Sequence, residues 1–564
     1  MKRITYLILT IGIVLSACDD EFLDVQSTNL ADDLIWASPS TAEAFIVGLY
    51  NGIRLTEKEQ DVTEGSVGFQ RGLHWALWCS ITDETIYSND DETYLVQRGQ
   101  LSPSLFGFTS TAWGRGYRGI REANLALQNI PSVDITDERK IILNAEVRFI
   151  RAWRYFVLLK GFGGVPLIGD RVAQIGEDYS DLYVRATIDE TVDYIISELD
   201  AAATDLPNRN DASWERGRAT EEVALALKSR VLLYAASPLF TNDTNDPTKW
   251  QEAADAAAVV MDMGYSLVDN LDSDPAENYR RLFVNGPTNE DIFIREFNVS
   301  SWTIPIERMN APNGYGGWGG NCPMQNFVDD FEMSNGMAID ELGSGYDDQD
   351  PYTDRDPRFY ATVLHNGASY RGRDVETFVP GGQDSADGPE NWNTSPTGYY
   401  MRKFFNEDIA LDDWDNMGTT TPWRYIRYAE ILLNYAEAQN EAVGADASVY
   451  EAINQVRGRA GMPNIPAGLT QAQMREKIRN ERRVELSFEE HRYFDVRRWK
   501  IAMDVENRPA RRVNITNDGF GNLAYDYTQE ALSGKQFLEQ HYWFPIPIDE
   551  INSSNGALTQ NPLY

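Results

Sequence analysis

Two blocks of helical apolar periodicity, separated by a long irregular region, constrain the fold of this 564-residue chain more than any other feature. In the first block, apolar side chains recur at the spacing of one helix face, and glycines and a proline then end the helix. This face consists of Ala145, Phe149, Ala152, Phe156 and Leu159. Two further helices are predicted to begin at the capping residues Thr220 and Asp246.

The second block repeats this design. One apolar stripe begins at Ile426 and ends at Gly444, a second surrounds Ile453, and Thr470 opens a third helix that reaches about Phe488. Helix pairs with small residues at close-packing positions are typical of tetratricopeptide units, although the strict consensus of about 34 residues is not met. The sequence therefore predicts a mostly α fold: a degenerate tetratricopeptide-like α–α superhelix.

Between the blocks, Gly, Pro, Asn and Asp punctuate the chain, and no strand alternation is sustained. Short strands are predicted at Ile292–Ile294 and Tyr360–Leu364. Loops this long in a compact protein are either functional or disordered, and the aromatic residues scattered through them argue against disorder. The predicted organisation is a helical scaffold, mainly 140–265 and 423–500, and a loop-rich ligand-binding portion, about 60–120 and 265–420.

The N-terminus has the pattern of an exported protein. Lys2 and Arg3 precede the uncharged, largely apolar run Ile4–Leu15, which is too short to span a bilayer. The following Leu15-Ser16-Ala17-Cys18 resembles a bacterial lipobox, in which the cysteine is acylated. We expect residues 1–17 to be a lipoprotein signal peptide and 18–564 a single lipid-anchored domain; an ordinary secretory signal with a chance cysteine is the weaker alternative.

Charge and composition exclude several function classes. Asp and Glu number 87 against 50 Lys and Arg, a net charge of −37 that would repel a phosphate backbone, so no nucleic-acid partner is expected. Four His and three Cys leave little for metal or haem chemistry, and no cofactor is expected. The acidic turn 347–356 fails the EF-hand register, so a structural calcium ion is a weaker alternative to a solvated turn.

Two further features have alternative interpretations. Cys79 and Cys322 are either a disulfide or two buried thiols, and the sequence favours the thiols. The charge-dense segment Ile478–Trp499 carries carboxylates that could serve a glycoside hydrolase. Mixed charges at helical spacing are far more often ion pairs, so this segment is interpreted as scaffold.

Several phrases occur together in a consistent order. They are Asn144–Lys160 running into Gly161–Leu167, Pro323–Met333 with Asn335-Gly336, Asp356–Phe359, Arg427–Leu433, Ile453–Gly461, Ile478–Trp499, Phe544–Pro547 and Gln560–Pro562. With the lipobox, they resemble the SusD/RagB family of outer-membrane nutrient-binding lipoproteins, from Cys18 to the C-terminus. The resemblance implies a tetratricopeptide-like scaffold, a ligand site in the loops and no covalent chemistry.

The resemblance also implies a partner and a location. The partner would be a SusC-like TonB-dependent outer-membrane transporter, on whose barrel mouth the lipoprotein sits as a lid. Asp19-Asp20-Glu21 resembles the acidic signal that directs such lipoproteins to the extracellular face of the outer membrane. The chain would then contact a membrane only through its N-terminal lipid.

Aromatic residues supply the candidate ligand site. Trp153, Trp250 and Trp423 lie in or beside helical stripes and are predicted core residues. The rings in irregular segments are Trp75, Trp78, Trp302, Tyr315, Trp318, Trp392 and Trp414. In the family, glycans tend to contact two segments, here Trp75–Asn89 and Trp302–Trp318. The predicted ligand-binding residues are therefore Trp75, Trp78, Asp83, Asn89, Trp302, Tyr315 and Trp318.

Three functions remain in competition. Sugar rings present flat C–H faces that stack on indole and phenol rings, and this favours capture of a glycan. The acidic composition favours a neutral glucan, and a β-linked glucan is preferred to an α-linked one. An oligopeptide would need a closed site that contacts its backbone. A glycoside hydrolase would need two carboxyls at a defined separation in a cleft.

Overall fold

A computed structural model describes residues 34–50, 76–90, 92–104, 107–172, 174, 177, 179–297, 306–408, 410–411 and 420–564. Its helices are α1 Pro39–Gly48, α2 Glu92–Gln97, α3 Gly107–Asn129, α4 Asp137–Phe162, α5 Ile188–Asp205, α6 Glu221–Ala236, α7 Pro247–Met261, α8 Pro275–Val284, α9 Ile306–Asn310, α10 Gln325–Asp329, α11 Pro357–Thr362, α12 Tyr428–Val443, α13 Ala447–Arg459, α14 Gln471–Glu485, α15 Arg492–Arg498, α16 Ala502–Val505 and α17 Ile548–Ser553.

The strands are short. They are β1 Thr85–Tyr87, β2 Asp291–Arg295, β3 Asn321–Pro323, β4 Val363–Leu364, β5 Ser369–Tyr370, β6 Arg373–Asp374, β7 Tyr400–Met401, β8 Trp423–Arg427, β9 Ala510–Arg511, β10 Asn514–Asn517, β11 Leu523–Asp526 and β12 Glu530–Leu532. They form antiparallel pairs: β1–β3, β2–β8, β4–β7, β5–β6, β9–β12 and β10–β11.

The long helices pack in chain order, which is the arrangement of tetratricopeptide-like pairs. Each helix from α3 to α7 packs on the next, α12 packs on α7, and α13 and α14 follow. The predicted caps are confirmed: the side chains of Thr220, Asp246 and Thr470 each accept a hydrogen bond from the first turn of α6, α7 and α14. The mostly α fold is therefore confirmed, with its apolar core between these helices.

Helix α3 corrects the predicted boundary of the loop-rich portion, which the sequence extends from about 60 to 120. Two of its four glycines allow α3 to approach α4. A Cβ on Gly116 would lie 2.7 Å from the Leu158 side chain, and one on Gly119 would lie 2.8 Å from that of Arg154. Glycine is thus used here for close helix packing rather than for a turn.

Two predicted elements change type. Ile426 is predicted in a helix but lies in β8, opposite Phe293 of β2, and the helix begins only at Tyr428. The Ile292–Ile294 strand is confirmed as part of β2. The predicted strand Tyr360–Leu364 is instead the end of α11, which Asp356 caps, followed by the two residues of β4. The reason is local, because a cap followed by proline favours a helix start.

The loop-rich portion has its own core. The buried aromatic side chains in it include Phe327, Phe331, Phe359, Tyr399 and Tyr400. Cys79 and Cys322 are both buried free thiols. Thr85 Oγ1 donates to Cys79 Sγ at 3.3 Å, and Cys322 Sγ donates to the carbonyl of Gly319 at 3.1 Å. The thiol interpretation is therefore the one the structure supports.

A cluster of buried charges joins the two portions, and we call Glu290, Arg427, Arg459, Glu485 and Glu489 the charged cluster. Arg427 Nη1 lies 2.8 Å from Glu290 Oε1 and 2.6 Å from Glu485 Oε1, and its Nε lies 2.7 Å from Glu489 Oε2. Arg459 pairs with Glu290 and Glu485. The interpretation of the Ile478–Trp499 charges as ion pairs is confirmed, and most of these pairs are buried, although Arg479 pairs with the exposed Glu476.

Within the described part of the chain, no helix combines the length and the hydropathy needed to cross a bilayer.

Candidate functional site

The glycine-rich loop from Asn313 to Gly320 connects α9 to β3. Asn313 Nδ2 donates to the carbonyls of Pro389, at 2.7 Å, and Ser385, at 3.3 Å. A Cβ on Gly317 would lie 2.1 Å from the carbonyl oxygen of Ala311. The sequence predicts that these glycines let the backbone approach a ligand; in the structure they let the loop pack closely against the protein itself.

Tyr315 fixes this loop to the β5–β6 hairpin. Its hydroxyl donates to the carbonyls of Tyr370, at 2.9 Å, and Arg373, at 3.0 Å. The Arg373 guanidinium lies 3.7 Å from the centre of the Tyr315 ring. Burial raises the pKa of this tyrosine well above its ordinary value. The hydroxyl is therefore committed to the protein, and Tyr315 supports the site more than it offers a free ring.

Trp318 lies where the loop meets the early segment of the chain. Its ring is half-buried, and its carbonyl accepts a hydrogen bond from Ser88 Oγ at 2.9 Å. The backbone N–H of Ser88 donates to the carbonyl of Gly320 at 2.8 Å. The neighbouring Asn89 is exposed. The two segments that the family resemblance singles out, around Asn89 and Trp318, are thus brought into contact.

Trp392 adds a ring that the predicted site omits. It belongs to the short turn Asn391–Asn393 and is 69% exposed. The next residue contacts the glycine-rich loop, because a Cβ on Gly319 would lie 2.3 Å from the carbonyl oxygen of Asn393 and 3.2 Å from Ser88 Cβ. The sequence signal was a tryptophan in an irregular segment, but only the tertiary contact places it here.

We call this surface the aromatic face and define it as Ser88, Asn89, Tyr315, Trp318 and Trp392. It carries two indole rings on adjoining segments: Trp392 is exposed, and Trp318 is half-buried against the core of the loop-rich portion, with the Arg308 guanidinium 5.9 Å from its ring centre. A serine hydroxyl and an exposed amide lie beside them. Aromatic rings with a small number of adjacent polar groups are the usual composition of a small-molecule site.

Trp78 does not contribute to this surface, and its prediction as a ligand contact is corrected. The ring is 3% exposed and packs against Tyr493, Phe494 and Phe544, with the Phe544 ring stacked at 5.8 Å. Its backbone N–H donates to Glu490 Oε2 at 3.0 Å. The apolar area of an indole makes it an effective core residue, and residues from the C-terminal part of the chain cover this one.

Asp83 is likewise interior, which corrects its predicted role as a sugar contact on the aromatic face. Its carboxylate accepts from Arg483 Nη1 at 2.7 Å and from Arg492 Nε at 2.8 Å. Burial alone would raise its pKa, but the two guanidinium groups outweigh burial and hold the pKa well below the ordinary value. Burial does raise the pKa of the neighbouring Glu84, to about 8.

Several predicted residues lie outside the described residues: Cys18, Trp75, Trp302 and Trp414. The segments of Asn89 and Trp318, which the sequence treats as separate candidates, are in contact through Ser88, whereas Tyr315 is held against the β5–β6 hairpin. Among the residues that the structure describes, no group of three or more His, Cys, Asp or Glu is placed to hold a metal ion. In the acidic turn, Asp350 accepts from Thr353 Oγ1 and Asp356 caps α11, so both carboxylates serve local structure.

Two family models match most of the chain. The model described as the SusD family matches residues 274–564, and one described as "starch-binding associating with outer membrane" matches residues 21–233. Between them they cover the aromatic face and most of the helical scaffold, with α7 and the last residues of α6 outside the matched ranges.

Individual relatives agree with these models. A SusD-like protein of Formosa agariphila is 26% identical over 471 residues, which cover 81% of each chain. The crystal structure of a SusD-like protein from Bacteroides fragilis superposes with a TM-score of 0.77 at 28% identity and covers 95% of this chain and 99% of its own. A second B. fragilis structure, described as a SusD-like carbohydrate-binding protein, has a TM-score of 0.72 at 25% identity and covers 92% and 98%.

The phrases that run in order along the sequence, the tetratricopeptide-like helices and the matched models all agree on one assignment. The chain belongs to the SusD family.

Proposed function

We propose that this chain is a cell-surface glycan-binding lipoprotein that captures an oligo- or polysaccharide and delivers it to a SusC-like TonB-dependent transporter without covalent chemistry. The observation that carries the proposal is the aromatic face, where Trp392 is 69% exposed on a turn that contacts the loop of the half-buried Trp318. Because most of the Trp392 indole lies outside the core, it contributes little to stability and is available to stack on a ligand. A flat sugar face would cover it.

The neighbouring polar groups suit the same ligand. The exposed Asn89 amide can both donate to and accept from the hydroxyl groups of a stacked sugar, and Ser88 Oγ, whose proton goes to the Trp318 carbonyl, can accept. The relatives support this class of ligand, since one solved relative is described as carbohydrate-binding and one matched family model as starch-binding.

A neutral glucan, β-linked, is the proposed ligand class. The Arg373 guanidinium beside Tyr315 is paired with the buried carboxylate of Asp384 at 2.7 Å, so it does not supply a free positive charge for an anionic glycan. The chain as a whole carries −37. An acidic surface disfavours polyuronates and sulfated glycans.

The two rival functions fit the described residues less well. An oligopeptide site would enclose its ligand and hydrogen-bond its backbone, whereas Trp392 of the aromatic face is exposed at the surface. A glycoside hydrolase would need two free carboxyls facing a sugar. Glu485 and Glu489, in the charge-dense segment that suggested this rival, are instead buried against Arg427.

The test of glycan binding is calorimetry with a panel of neutral glucans on the Trp318→Ala and Trp392→Ala variants. Loss of a stacked ring should weaken binding by about 1–3 kcal/mol, which is tenfold or more in affinity. Phe520→Ala is the matched control, since this ring is 92% exposed at a hairpin tip outside the aromatic face. Wild-type affinity in both tryptophan variants for a glucan that the protein binds would refute the site.

The proposed anchor and partner need separate experiments. Cys18→Ala should release the protein from the outer-membrane fraction, and retention there would contradict acylation at this residue. Purification of the native lipoprotein in mild detergent should recover a β-barrel protein of transporter size. Recovery of the lipoprotein alone in several detergents would count against the SusC-like partner.

A further inference from the structure

A large cleft lies between α10 and α14, apart from the aromatic face. It encloses about 1100 Å³, and none of the residues that define the aromatic face lines it. Asp83 and Arg483 are among its lining residues, as are Lys477, Asn480 and Arg508. Its volume reaches the upper end of the range for small-molecule sites, roughly 300–1,000 Å³. We call it the α14 cleft.

The charges of the α14 cleft are largely paired with one another. Arg483 Nη1 lies 2.7 Å from Asp83 Oδ2, and its Nε lies 2.7 Å from Asp330 Oδ2. Lys477 Nζ lies 2.8 Å from Glu332 Oε1. Paired charges of both signs leave no concentrated field for a single ion. In the described part of the chain, no metal-holding group of carboxylates is present here or elsewhere.

The same pairing sets donors and acceptors side by side along the walls. A carboxylate accepts only, an ammonium or guanidinium donates only, and Asn480 does both. Asn480 Nδ2 donates to the carbonyl of Asp330 at 3.1 Å, which leaves its oxygen as an acceptor. A ligand that matches such a lining must offer donors and acceptors at short spacing, which is what the hydroxyls of a sugar ring do.

The cleft also has an apolar part. Ile339, Leu469, Ala472 and Pro509 contribute to its lining. A polyhydroxylated ring needs both surfaces, because its hydroxyls require polar partners while its C–H faces gain from apolar contact. We propose that the α14 cleft is a second binding site, which takes a short neutral oligosaccharide independently of the aromatic face.

The two sites lie at opposite ends of the β1–β3 pair. At one end, the N–H of Met324 donates to the carbonyl of Glu84 at 2.8 Å, next to Asp83 of the cleft; at the other, the Ser88 N–H donates to Gly320 at 2.8 Å, on the aromatic face. Three residues of strand span about 10 Å. Separate ligand units are therefore expected to occupy the two sites.

Charge argues against the other ligand classes. Six carboxylates against four cations line the cleft: Asp83, Asp329, Asp330, Glu332, Asp340 and Glu476 against Lys477, Arg483, Arg508 and Arg511. An anionic ligand would meet a lining in which carboxylates outnumber cations. A basic side chain of a peptide would meet Arg508 and Lys477, and its binding is an alternative outcome of the test below.

The experiment uses a protein whose aromatic face has been disabled by Trp318→Ala and Trp392→Ala. Saturation-transfer NMR and calorimetry would measure the binding of cellotriose, laminaritriose and maltotriose. Ala472→Trp, which places a bulky ring into the cleft from an exposed position on α14, should weaken binding tenfold or more. Ala447→Trp is the control, because Ala447 is equally exposed in the first turn of α13 and does not line the cleft.

A second variant keeps the proposal testable if the tryptophan disturbs α14. Lys477→Met removes a donor at nearly constant size and should weaken the same trisaccharide by about tenfold. Failure of all three trisaccharides to bind the disabled protein, or binding of lysine amide but of no trisaccharide, would overturn the proposal. Equal effects of Ala472→Trp and Ala447→Trp would also overturn it. Trisaccharide binding that survives the loss of the aromatic face supports the cleft whatever the fate of the proposed function.

Discussion

The charged cluster and the aromatic face differ in how their side chains are covered. In the charged cluster, Arg427 meets Glu290, Glu485 and Glu489 within 2.8 Å, and all four side chains are buried. On the aromatic face, Trp392 is left 69% exposed. The charged cluster pairs its charges inside the protein, whereas the aromatic face leaves most of an apolar ring in contact with water.

This difference separates stability from binding within one chain. A buried ion network holds its elements in one arrangement, because removal of one partner leaves an uncompensated charge in the interior. An exposed ring adds little to stability but is available to a ligand. Substitutions in the two regions should therefore act on different measurements.

The largest effect is expected from Arg427→Met. It would leave three carboxylates of the charged cluster without their shared guanidinium, at a cost of about 5 kcal/mol in the free energy of unfolding. Urea denaturation would measure it. Arg216→Ala is the control, since its pair with Glu296 is exposed and should contribute at most about 1 kcal/mol. Equal losses in the free energy of unfolding would show that the buried charged cluster contributes no more to stability than an exposed ion pair.

Two tryptophans that the sequence groups together should respond differently. Trp78→Ala removes a ring that is 3% exposed and packed against Phe544, so it should destabilise the protein by about 3–5 kcal/mol. Trp392→Ala should change stability by less than about 0.5 kcal/mol. Thermal unfolding distinguishes them. A strongly destabilised Trp392→Ala variant would show that this ring belongs to the core.

Two glycines of α3 test how closely this helix packs against α4 in the scaffold. Gly116→Ala places a methyl group 2.7 Å from Leu158 and should cost about 1–3 kcal/mol. Gly114→Ala, in the same helix with open space around it, should instead stabilise the protein by about 0.5–1 kcal/mol. If chemical denaturation shows that both variants change the free energy of unfolding in the same direction, the close approach of α3 to α4 would be contradicted.

Glu84, a buried carboxyl four residues before Ser88 of the aromatic face, predicts a dependence of stability on pH. Burial raises its pKa from 4.5 to about 8 in the folded protein. Between these values the unfolded chain releases a proton that the folded protein keeps, so this group lowers stability as pH rises through that window, and the loss levels off above pH 8.

The Glu84→Gln variant cannot ionise there, so its free energy of unfolding relative to wild type should grow by at least ~1 kcal/mol between pH 5 and pH 8. Denaturation curves at several pH values would measure this. Glu476→Gln, an exposed substitution on α14, is the control. Wild-type and Glu84→Gln curves that stay parallel over the whole range would rule out the raised pKa.

Much of the scaffold was predictable because its signals are local. Thr220, Asp246 and Thr470 cap helices through side chains that reach the next turn, and such contacts depend only on neighbouring residues. The sequence places the first part of α3 in the loop-rich portion. Glycine occurs both in turns and where two helices pack closely, and only the position of α4 distinguishes these cases here. Ile426 was misplaced for a similar reason, since its strand depends on pairing with distant β2.

The sequence by itself determined the family, the helical scaffold and the segments that carry aromatic rings. Capping residues, apolar periodicity and the phrases shared with the family each depend only on short stretches of the chain. The tertiary structure alone decided which rings are accessible. Trp78 is buried by residues such as Glu490, which lies 412 positions away, and Trp392 joins Trp318 only because Asn393 packs on Gly319. Exposure is a property of what covers a side chain, and the covering residues are distant in sequence.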